Sequence, residues 1–225
     1  MVPYETLSDK IKAWYRALVT EHNLVNTLWL NLHPVDERLF RSAQPTPWQL
    51  KKLIRRHGIR TVINLRGEQP KSPVYQFEKK VCDEMGVALE NTRIFSRSVV
   101  EARFLRDLKK IFEACEYPAL MHCKAGADRS SLAAVFYLHW VKGWPIKKAY
   151  RKEVRFWPFG YIRRSGAGII AYYFEAFIAY EKEHPEADIV AWTETLDRDA
   201  MKEGFEKSRK SSLVDLFYEK ILRRE

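Results

Sequence analysis

The chain has 225 residues, of which 46% are hydrophobic and 13% are aromatic. This length and composition exclude a disordered chain and fit one globular domain with an appended segment. Lysine and arginine outnumber aspartate and glutamate by 39 to 29, which gives a formal net charge of +10. Such a basic balance favours anionic partners: phosphorylated protein, phospholipid surfaces or nucleic acid.

The cysteine count and the hydropathy pattern indicate the compartment. Cys82, Cys115 and Cys123 form an odd, sparse set without a Cys-x2-Cys pair, so neither a disulfide framework nor a zinc site is expected. Glu5 and Asp9 interrupt the N-terminus, which lacks the apolar centre of a signal peptide. No apolar stretch reaches the roughly 20 residues that cross a bilayer. We expect a cytoplasmic protein, with peripheral contact to a membrane left open.

Predicted strands and helices alternate along the chain. The predicted strands are 39–43, 59–65, 87–94 and 119–122. The predicted helices are 7–30, 46–57, 74–85, 100–115, 129–141, one that starts at Pro145, and 166–183. This alternation predicts an α/β fold, with helices on both faces of a central sheet. We expect an N-terminal helical segment at 1–34, the main domain at 35–184 and a C-terminal helical extension at 185–225. In the last of these, an apolar stripe is formed by Leu213, Leu216, Phe217 and Ile221.

The most informative run follows the predicted strand at 119–122 and reads His-Cys-Lys-Ala-Gly-Ala-Asp-Arg-Ser-Ser from His122 to Ser131. A free cysteine with a pKa of about 8.5 is a poor nucleophile, but its pKa falls to roughly 3.5–7.5 at a helix N-terminus beside cations. A strand, a short loop and a helix supply that environment for Cys123. The alternative is a buried structural cysteine near a surface arginine.

Each residue type after Cys123 suits a phosphate-binding loop. The backbone N–H groups of such a loop form a nest for a phosphate dianion or a thiolate, completed by the positive end of the following helix. The residues of this nest are Lys124, Ala125, Gly126, Ala127, Asp128 and Arg129. Gly126 permits the tight backbone path. Arg129 can hold two phosphate oxygens at once, and Ser130 can donate a hydrogen bond to the sulfur.

These residues resemble the His-Cys-x5-Arg-Ser/Thr loop of the protein tyrosine phosphatase superfamily. Together with the runs 40–45 and 58–68, they are similar to bacterial members of its atypical dual-specificity branch, and the resemblance extends over roughly 41–168. It implies a four- to five-stranded sheet flanked by helices, with a phosphatase domain at 35–184. It also implies Cys123 as the nucleophile that forms a phospho-thiol intermediate, Arg129 as the transition-state clamp, and neither metal nor cofactor.

The general acid departs from the usual family pattern, which places an aspartate on a loop some thirty residues before the cysteine. The only carboxylate between Asn91 and Arg106 is Glu101. Asp128 offers another solution, because myotubularin-like lipid phosphatases also carry an aspartate directly before the loop arginine. Three alternatives stay open: Asp128 donates the proton, Glu101 donates it, or no dedicated acid exists.

A basic segment at 142–164 is a candidate for substrate selection, because it holds eight basic residues and one acidic residue, Glu153. Aromatic residues are interleaved with them: Trp144, Phe156, Trp157, Phe159 and Tyr161. This segment predicts attraction of a phosphorylated protein, or of an anionic phosphorylated lipid or inositol headgroup, and peripheral membrane contact through 142–164. The alternative is a solvated helix face whose aromatic residues belong to the core. A nucleic-acid partner would leave the Cys–Arg loop unexplained.

The sequence is compatible with three functions. The first is a metal-independent phosphomonoester hydrolase of the tyrosine or dual-specificity kind, with a lipid or inositol phosphatase of the same mechanism as its variant. The second is a rhodanese- or arsenate-reductase-like thiol enzyme, which is disfavoured because no resolving cysteine is indicated near Cys123. The third is a phosphate-binding adaptor without turnover. The sequence leaves the physiological substrate and the oligomeric state open.

Overall fold

A computed structural model of the chain describes residues 28–209. The strands of this range are His33–Pro34 (β1), Leu39–Ala43 (β2), Thr61–Asn64 (β3), Ala88–Asn91 (β4) and Ala119–Cys123 (β5). The helices are Pro47–His57 (α1), Pro73–Met85 (α2), Ala102–Ala114 (α3), Asp128–Trp140 (α4), Ile146–Glu153 (α5), Ile169–Glu183 (α6), Ile189–Glu194 (α7) and Arg198–Arg209 (α8). A short 3₁₀ helix, Gly166–Gly168, precedes α6.

The five strands form one sheet in the order β1-β2-β5-β3-β4. β1 is antiparallel to β2, and the other neighbouring pairs are parallel. The register places Ala43 of β2 beside Cys123 and Asn64 of β3 beside His122. The carboxyl ends of the three inner strands therefore meet at one edge of the sheet, which is where parallel α/β sheets commonly bind ligands.

Side chains of the inner strands alternate between two apolar layers. On one face Leu120 and Val62 pack with residues of α1 and α2 such as Leu50. On the other face Met121 and Ile63 belong to the larger core, which includes residues of α3, α4 and α6. Both faces of the sheet are thus covered, and the predicted α/β fold class is confirmed.

Helix α4 lies inside the larger core. All nine of its side chains from Ser130 to Leu138 are buried. Phe136 stacks on Trp140 of the same helix at a ring-centroid distance of 4.6 Å, and it links α4 to α6 through Phe174, whose ring centroid is 5.4 Å away. A helix packed on all sides is held firmly, so the loop that precedes it has a fixed support.

The C-terminal helices pack on the same domain. Tyr173 of α6 and Thr193 of α7 share a buried hydrogen bond of 2.5 Å. Arg198, the first residue of α8, donates to Glu101 at 3.1 Å. Phe205 of α8 packs with Val99 in a small apolar cluster.

The predicted elements match the structure with small differences at their ends. The strands predicted at 59–65 and 87–94 are shorter, Thr61–Asn64 and Ala88–Asn91. The helix predicted from Gly166 begins instead as a 3₁₀ turn, because the Ser165 hydroxyl accepts a hydrogen bond from the Ala167 N–H. The helix predicted at 7–30 lies outside the described residues apart from its last three. The apolar stripe after residue 210 lies outside them entirely, and the division into 1–34, 35–184 and 185–225 stays a prediction.

None of the helices within residues 28–209 is both long enough and apolar enough to span a bilayer.

Candidate active site

Cys123 lies at the carboxyl end of the central strand β5, and the loop from Lys124 to Ala127 joins it directly to α4. We call Cys123–Arg129 the Cys123 loop. The side chains of Cys123 and Ser130 are buried, whereas Lys124, Asp128 and Arg129 are partly exposed. The short connection places the N-terminus of α4, with its N–H groups and positive dipole end, at this loop.

Four successive carbonyl groups of the loop accept hydrogen bonds from the segments around it. The N–H of Gln44 donates to Lys124 O at 3.3 Å. Asn31 Nδ2 donates to Ala125 O at 3.0 Å. Arg41 Nη2 donates to both Gly126 O and Ala127 O, at 2.9 and 3.0 Å.

The direction of these carbonyls determines the direction of the loop's N–H groups. In a planar trans peptide the C=O of one residue and the N–H of the next point in opposite directions. Because the carbonyls of 124–127 are held by surrounding donors, the N–H groups of 125–128 face the interior of the loop. This arrangement is an anion-binding nest beside the Cys123 sulfur.

Arg41 is the principal support of this arrangement. Its fully buried guanidinium also donates to Glu153 Oε2 at 2.9 Å and to Ser131 Oγ at 2.8 Å. The ring of Phe159 covers it, with its centroid 4.2 Å from the guanidinium carbon. Glu153 is equally buried, and its other oxygen lies 3.4 Å from Lys152 Nζ. Removing one partner of such a buried ion pair costs about 3–5 kcal/mol, because the other charge stays buried.

Asn31 ties two further segments to the loop. Besides Ala125 O, its side-chain amide donates to Phe159 O at 2.9 Å. His33 Nε2 lies 2.9 Å from Asn31 Oδ1 and fixes the orientation of the amide. The segment before β1 and the turn after α5 are therefore connected to the loop through one side chain.

The Cys123 thiol has a lowered pKa. Burial opposes the thiolate, but the positive charge of Arg129 and a hydrogen bond from Ser130 outweigh burial and lower the pKa below its ordinary value. Cys123 Sγ and Ser130 Oγ lie 3.1 Å apart. The Asp128 carboxylate acts in the opposite sense and raises the pKa of this thiol. Cys82 differs, since burial raises the pKa of its thiol to about 12.

His122 lies on the opposite face of β5 from Cys123. Its buried Nε2 is 2.7 Å from Glu78 Oε1 of α2, and both side chains are buried. The pair joins β5 to the α2 layer one residue before Cys123. Its role in the structure is to fix the end of the strand.

The two candidate proton donors have different surroundings. Glu101 precedes α3, and each of its carboxylate oxygens is paired with a guanidinium: Oε2 with Arg103 at 2.9 Å and Oε1 with Arg198 at 3.1 Å. Asp128 lies within the loop, close enough for its charge to act on Cys123 and Arg41. The structure places Asp128 in the electrostatic environment of the sulfur.

Sequence reasoning missed three supporting residues, Arg41, Asn31 and Glu153. Arg41 and Glu153 are separated by 112 residues in the chain and meet only in the fold. One signal was available: Glu153 is the only acidic residue in the basic segment, and an isolated carboxylate there indicates a specific cationic partner. Within residues 28–209, no cluster of three His, Cys, Asp or Glu side chains is placed to hold a metal ion.

Gly126 is required by the loop geometry, and we predict that Gly126→Ala abolishes measurable binding of inorganic phosphate. Its φ is +68°, and an added Cβ would lie 2.5 Å from Ala43 N and 2.6 Å from Ser42 C. The loop would have to move away from β2, and the hydrogen bonds that its carbonyl groups accept from the surrounding segments would break. Isothermal titration calorimetry with phosphate measures the effect.

Gly143→Ala is the matched control. Gly143 has nearly the same φ, +67°, but no neighbouring atom lies within 4 Å of its would-be Cβ. This substitution should cost about 1–2 kcal/mol of stability and leave phosphate affinity unchanged. Equal phosphate affinity in a folded Gly126→Ala protein would contradict the proposed loop geometry.

The sequence profile of the "Tyrosine phosphatase family" matches residues 28–186. The chain is similar to the dual specificity protein phosphatase TpbA of Pseudomonas aeruginosa, with 28% identity over 156 residues, 69% of this chain and 64% of TpbA. It is also similar to OCA1 of Yarrowia lipolytica, named as a tyrosine-protein phosphatase, with 27% identity over 168 residues, 70% of this chain and 62% of OCA1. The chain thus spans a little under two thirds of the length of these curated relatives.

Among solved structures, the fold is similar to that of Tk-PTP in its active form. The TM-score is 0.51 at 20% sequence identity, over 66% of this chain and 98% of Tk-PTP. At this identity the likeness concerns the fold alone. The profile match covers most of the chain, including β5, the Cys123 loop and α4, and the chain therefore belongs to the tyrosine phosphatase family.

Proposed function

We propose that the protein hydrolyses phosphomonoesters through a cysteinyl-phosphate intermediate on Cys123. The observation that carries this proposal is the orientation of the Cys123 loop: four carbonyls turned outward and the corresponding N–H groups turned toward a buried thiol of lowered pKa. A nest of N–H groups holds the three non-reacting phosphate oxygens, which lie in the equatorial plane of the transition state. The thiolate beside it is the atom that reacts.

In the first step the Cys123 thiolate attacks phosphorus. The S–P bond forms as the P–O bond to the leaving group breaks, and the leaving oxygen takes a proton from a general acid. Arg129 supplies two N–H donors to the phosphoryl oxygens as the group becomes planar. Family membership and the lowered thiol pKa both support this assignment.

In the second step water attacks the phosphoryl group of the intermediate. The S–P bond breaks, the thiolate returns as leaving group, and inorganic phosphate is released. The Ser130 hydroxyl, 3.1 Å from Cys123 Sγ, stabilises the departing thiolate with a hydrogen bond. The carboxylate that gave its proton in the first step accepts one from the attacking water.

We assign the proton transfer to Asp128. Both oxygens of Glu101 are engaged, by Arg103 and by Arg198 of α8, so this carboxylate is already held by two guanidinium groups. Asp128 lies between Ala127 and Arg129 in the loop itself. Its side chain is partly exposed and can therefore approach a bound substrate.

The substrate class we propose is phosphorylated protein. The support is similarity to TpbA, a dual specificity protein phosphatase, together with the net charge of +10, which attracts phosphorylated, acidic surfaces. Phosphorylated lipid or inositol headgroups would use the same chemistry and enter the test as competing substrates. The adaptor hypothesis differs by predicting phosphate binding without turnover.

The test is phosphate release by the full chain beside Cys123→Ser, with a chelator present throughout. The substrates are phosphotyrosine peptide, phosphoserine peptide, an inositol phosphate and a phosphorylated glycolipid. We expect turnover of the phosphopeptides by the wild type and none by Cys123→Ser, which retains phosphate binding. Turnover by both proteins would overturn the thiol mechanism, and binding without turnover by the wild type would establish the adaptor.

For the proton donor we predict that Asp128→Asn slows phosphotyrosine peptide hydrolysis by about 10²-fold or more. The rate with p-nitrophenyl phosphate should fall much less, because its leaving group needs little protonation. Loss of the Asp128 charge also relieves an effect that raises the Cys123 pKa, so the thiolate fraction does not fall. Glu101→Gln is the matched control and should keep both rates. The opposite result, a leaving-group-dependent loss in Glu101→Gln alone, would assign the proton to Glu101.

A further inference from the structure

The turn that follows α5 presents two large apolar side chains to solvent. The N–H of Gly160 donates to Phe156 O at 2.5 Å, and the N–H of Tyr161 donates to Arg155 O at 3.3 Å, which closes the turn at 155–161. Phe156 is 66% exposed and Trp157 is 74% exposed. We call these two residues the Phe156–Trp157 tip. Phe159 and Tyr161 of the same turn are buried. The exposure of Phe156 and Trp157 is therefore specific to these two residues and not common to all aromatic residues of the turn.

The base of this turn is attached to the Cys123 loop. Phe159 covers the Arg41 guanidinium, and its carbonyl accepts a hydrogen bond from Asn31, which also binds Ala125 O. Tyr161 is buried and donates to Ala167 O at 2.9 Å. The turn that carries the tip is therefore connected to the Cys123 loop through Asn31 and Arg41, each of which contacts both.

The surface around the tip is positively charged. The basic segment at 142–164 has eight basic residues, and its single acidic residue, Glu153, is fully buried with Arg41. Within residues 28–209 several exposed cations of this segment form no ion pair with a carboxylate: Lys147, Arg151, Arg155 and Arg164. The charge that this segment shows to solvent is thus of one sign.

A second exposed apolar pair lies on the segment that enters the same region. Leu28 is 87% exposed and Trp29 is 61% exposed, and both come directly before Leu30 and Asn31. Asn31 contacts both the Cys123 loop and the Phe159 carbonyl. Exposed apolar side chains thus occur on two of the segments that support the loop.

We propose that the Phe156–Trp157 tip docks on the surface of an anionic lipid bilayer. Aromatic side chains, tryptophan above all, settle in the interfacial region of a bilayer, and neighbouring lysines and arginines pair with anionic headgroups. Two aromatic residues at the end of a closed turn suit insertion between headgroups, whereas a protein or nucleic-acid partner would have to supply a pocket for both. Docking through the tip brings the Cys123 loop next to the membrane surface.

The test is cosedimentation of the full chain with vesicles of phosphatidylcholine alone or of equal parts phosphatidylcholine and phosphatidylserine. We expect binding to the anionic vesicles only, a loss of about tenfold or more in vesicle affinity for Phe156→Ala with Trp157→Ala, and a similar loss for Lys147→Glu with Arg151→Glu. The matched controls are Tyr180→Ala, an exposed aromatic residue outside the basic segment, and Arg55→Glu with Arg56→Glu on α1. Circular dichroism confirms that each variant is folded.

Vesicle binding needs no turnover, so its result is independent of the proposed phosphatase activity. Absence of wild-type binding to anionic vesicles would overturn the proposal, as would binding that the tip variant retains in full. Binding of polyglutamate or an oligonucleotide through the tip, without vesicle binding, would assign the surface to a polymeric anion. Self-association that the tip variant abolishes, again without vesicle binding, would assign it to a second copy of the chain.

Discussion

The site depends on one buried contact, the ion pair between Arg41 and Glu153. The guanidinium reaches the carboxylate on one side and two carbonyls of the Cys123 loop on the other. Glu153 keeps the cation charged in a buried place, and the cation keeps the loop carbonyls turned away from the sulfur. Since each peptide is rigid, this fixes the inward direction of the N–H groups. A buried pair often contributes little net stability; here its contribution is the orientation of the loop.

The parallel sheet explains why these groups can meet. β2 and β5 run side by side in register, so Arg41 lies two residues before the Ala43–Cys123 pair at the edge where the strands end. Helix α4 is buried on all sides, so the loop cannot relax by moving the helix. Gly126 allows the loop to approach β2 closely enough for the arginine to reach its carbonyls. The chemistry that we propose at Cys123 uses groups that the fold holds together: the thiol, the N–H groups of the loop, Arg129 and Asp128.

The secondary structure around Cys123 and the position of the phosphate-binding loop could be predicted from the sequence, because the residues that indicate them are close together in the chain. The strand, the loop and the helix around Cys123 all lie within residues 119–140, and their apolar pattern and glycine carry the information. The hydrogen bonds from Arg41 and Asn31 to the loop could not be predicted, because they join residues far apart in the chain. Gly126 and Ala127 are 85 and 86 positions from Arg41, and Ala125 is 94 positions from Asn31. The pairing of Glu101 with Arg198 spans 97 positions. In the basic segment Phe159 and Tyr161 are buried, whereas Phe156 and Trp157 are exposed. These residues lie in an irregular turn, where buried side chains do not recur at a regular spacing, so the sequence could not separate the two pairs.

The measurement that tests the account most directly is the affinity of inorganic phosphate for Arg41→Lys, determined by calorimetry beside the wild type. Lysine keeps the positive charge next to Glu153 but has a single nitrogen, which cannot also hold Gly126 O, Ala127 O and Ser131 Oγ in the geometry of the guanidinium. Arg41 is fully buried, and its hydrogen bonds to the site go to the loop carbonyls and to Ser131 Oγ. The account predicts a folded protein that binds phosphate at least about tenfold more weakly, roughly the value of one or two neutral hydrogen bonds. Unchanged affinity in a folded Arg41→Lys protein would contradict it.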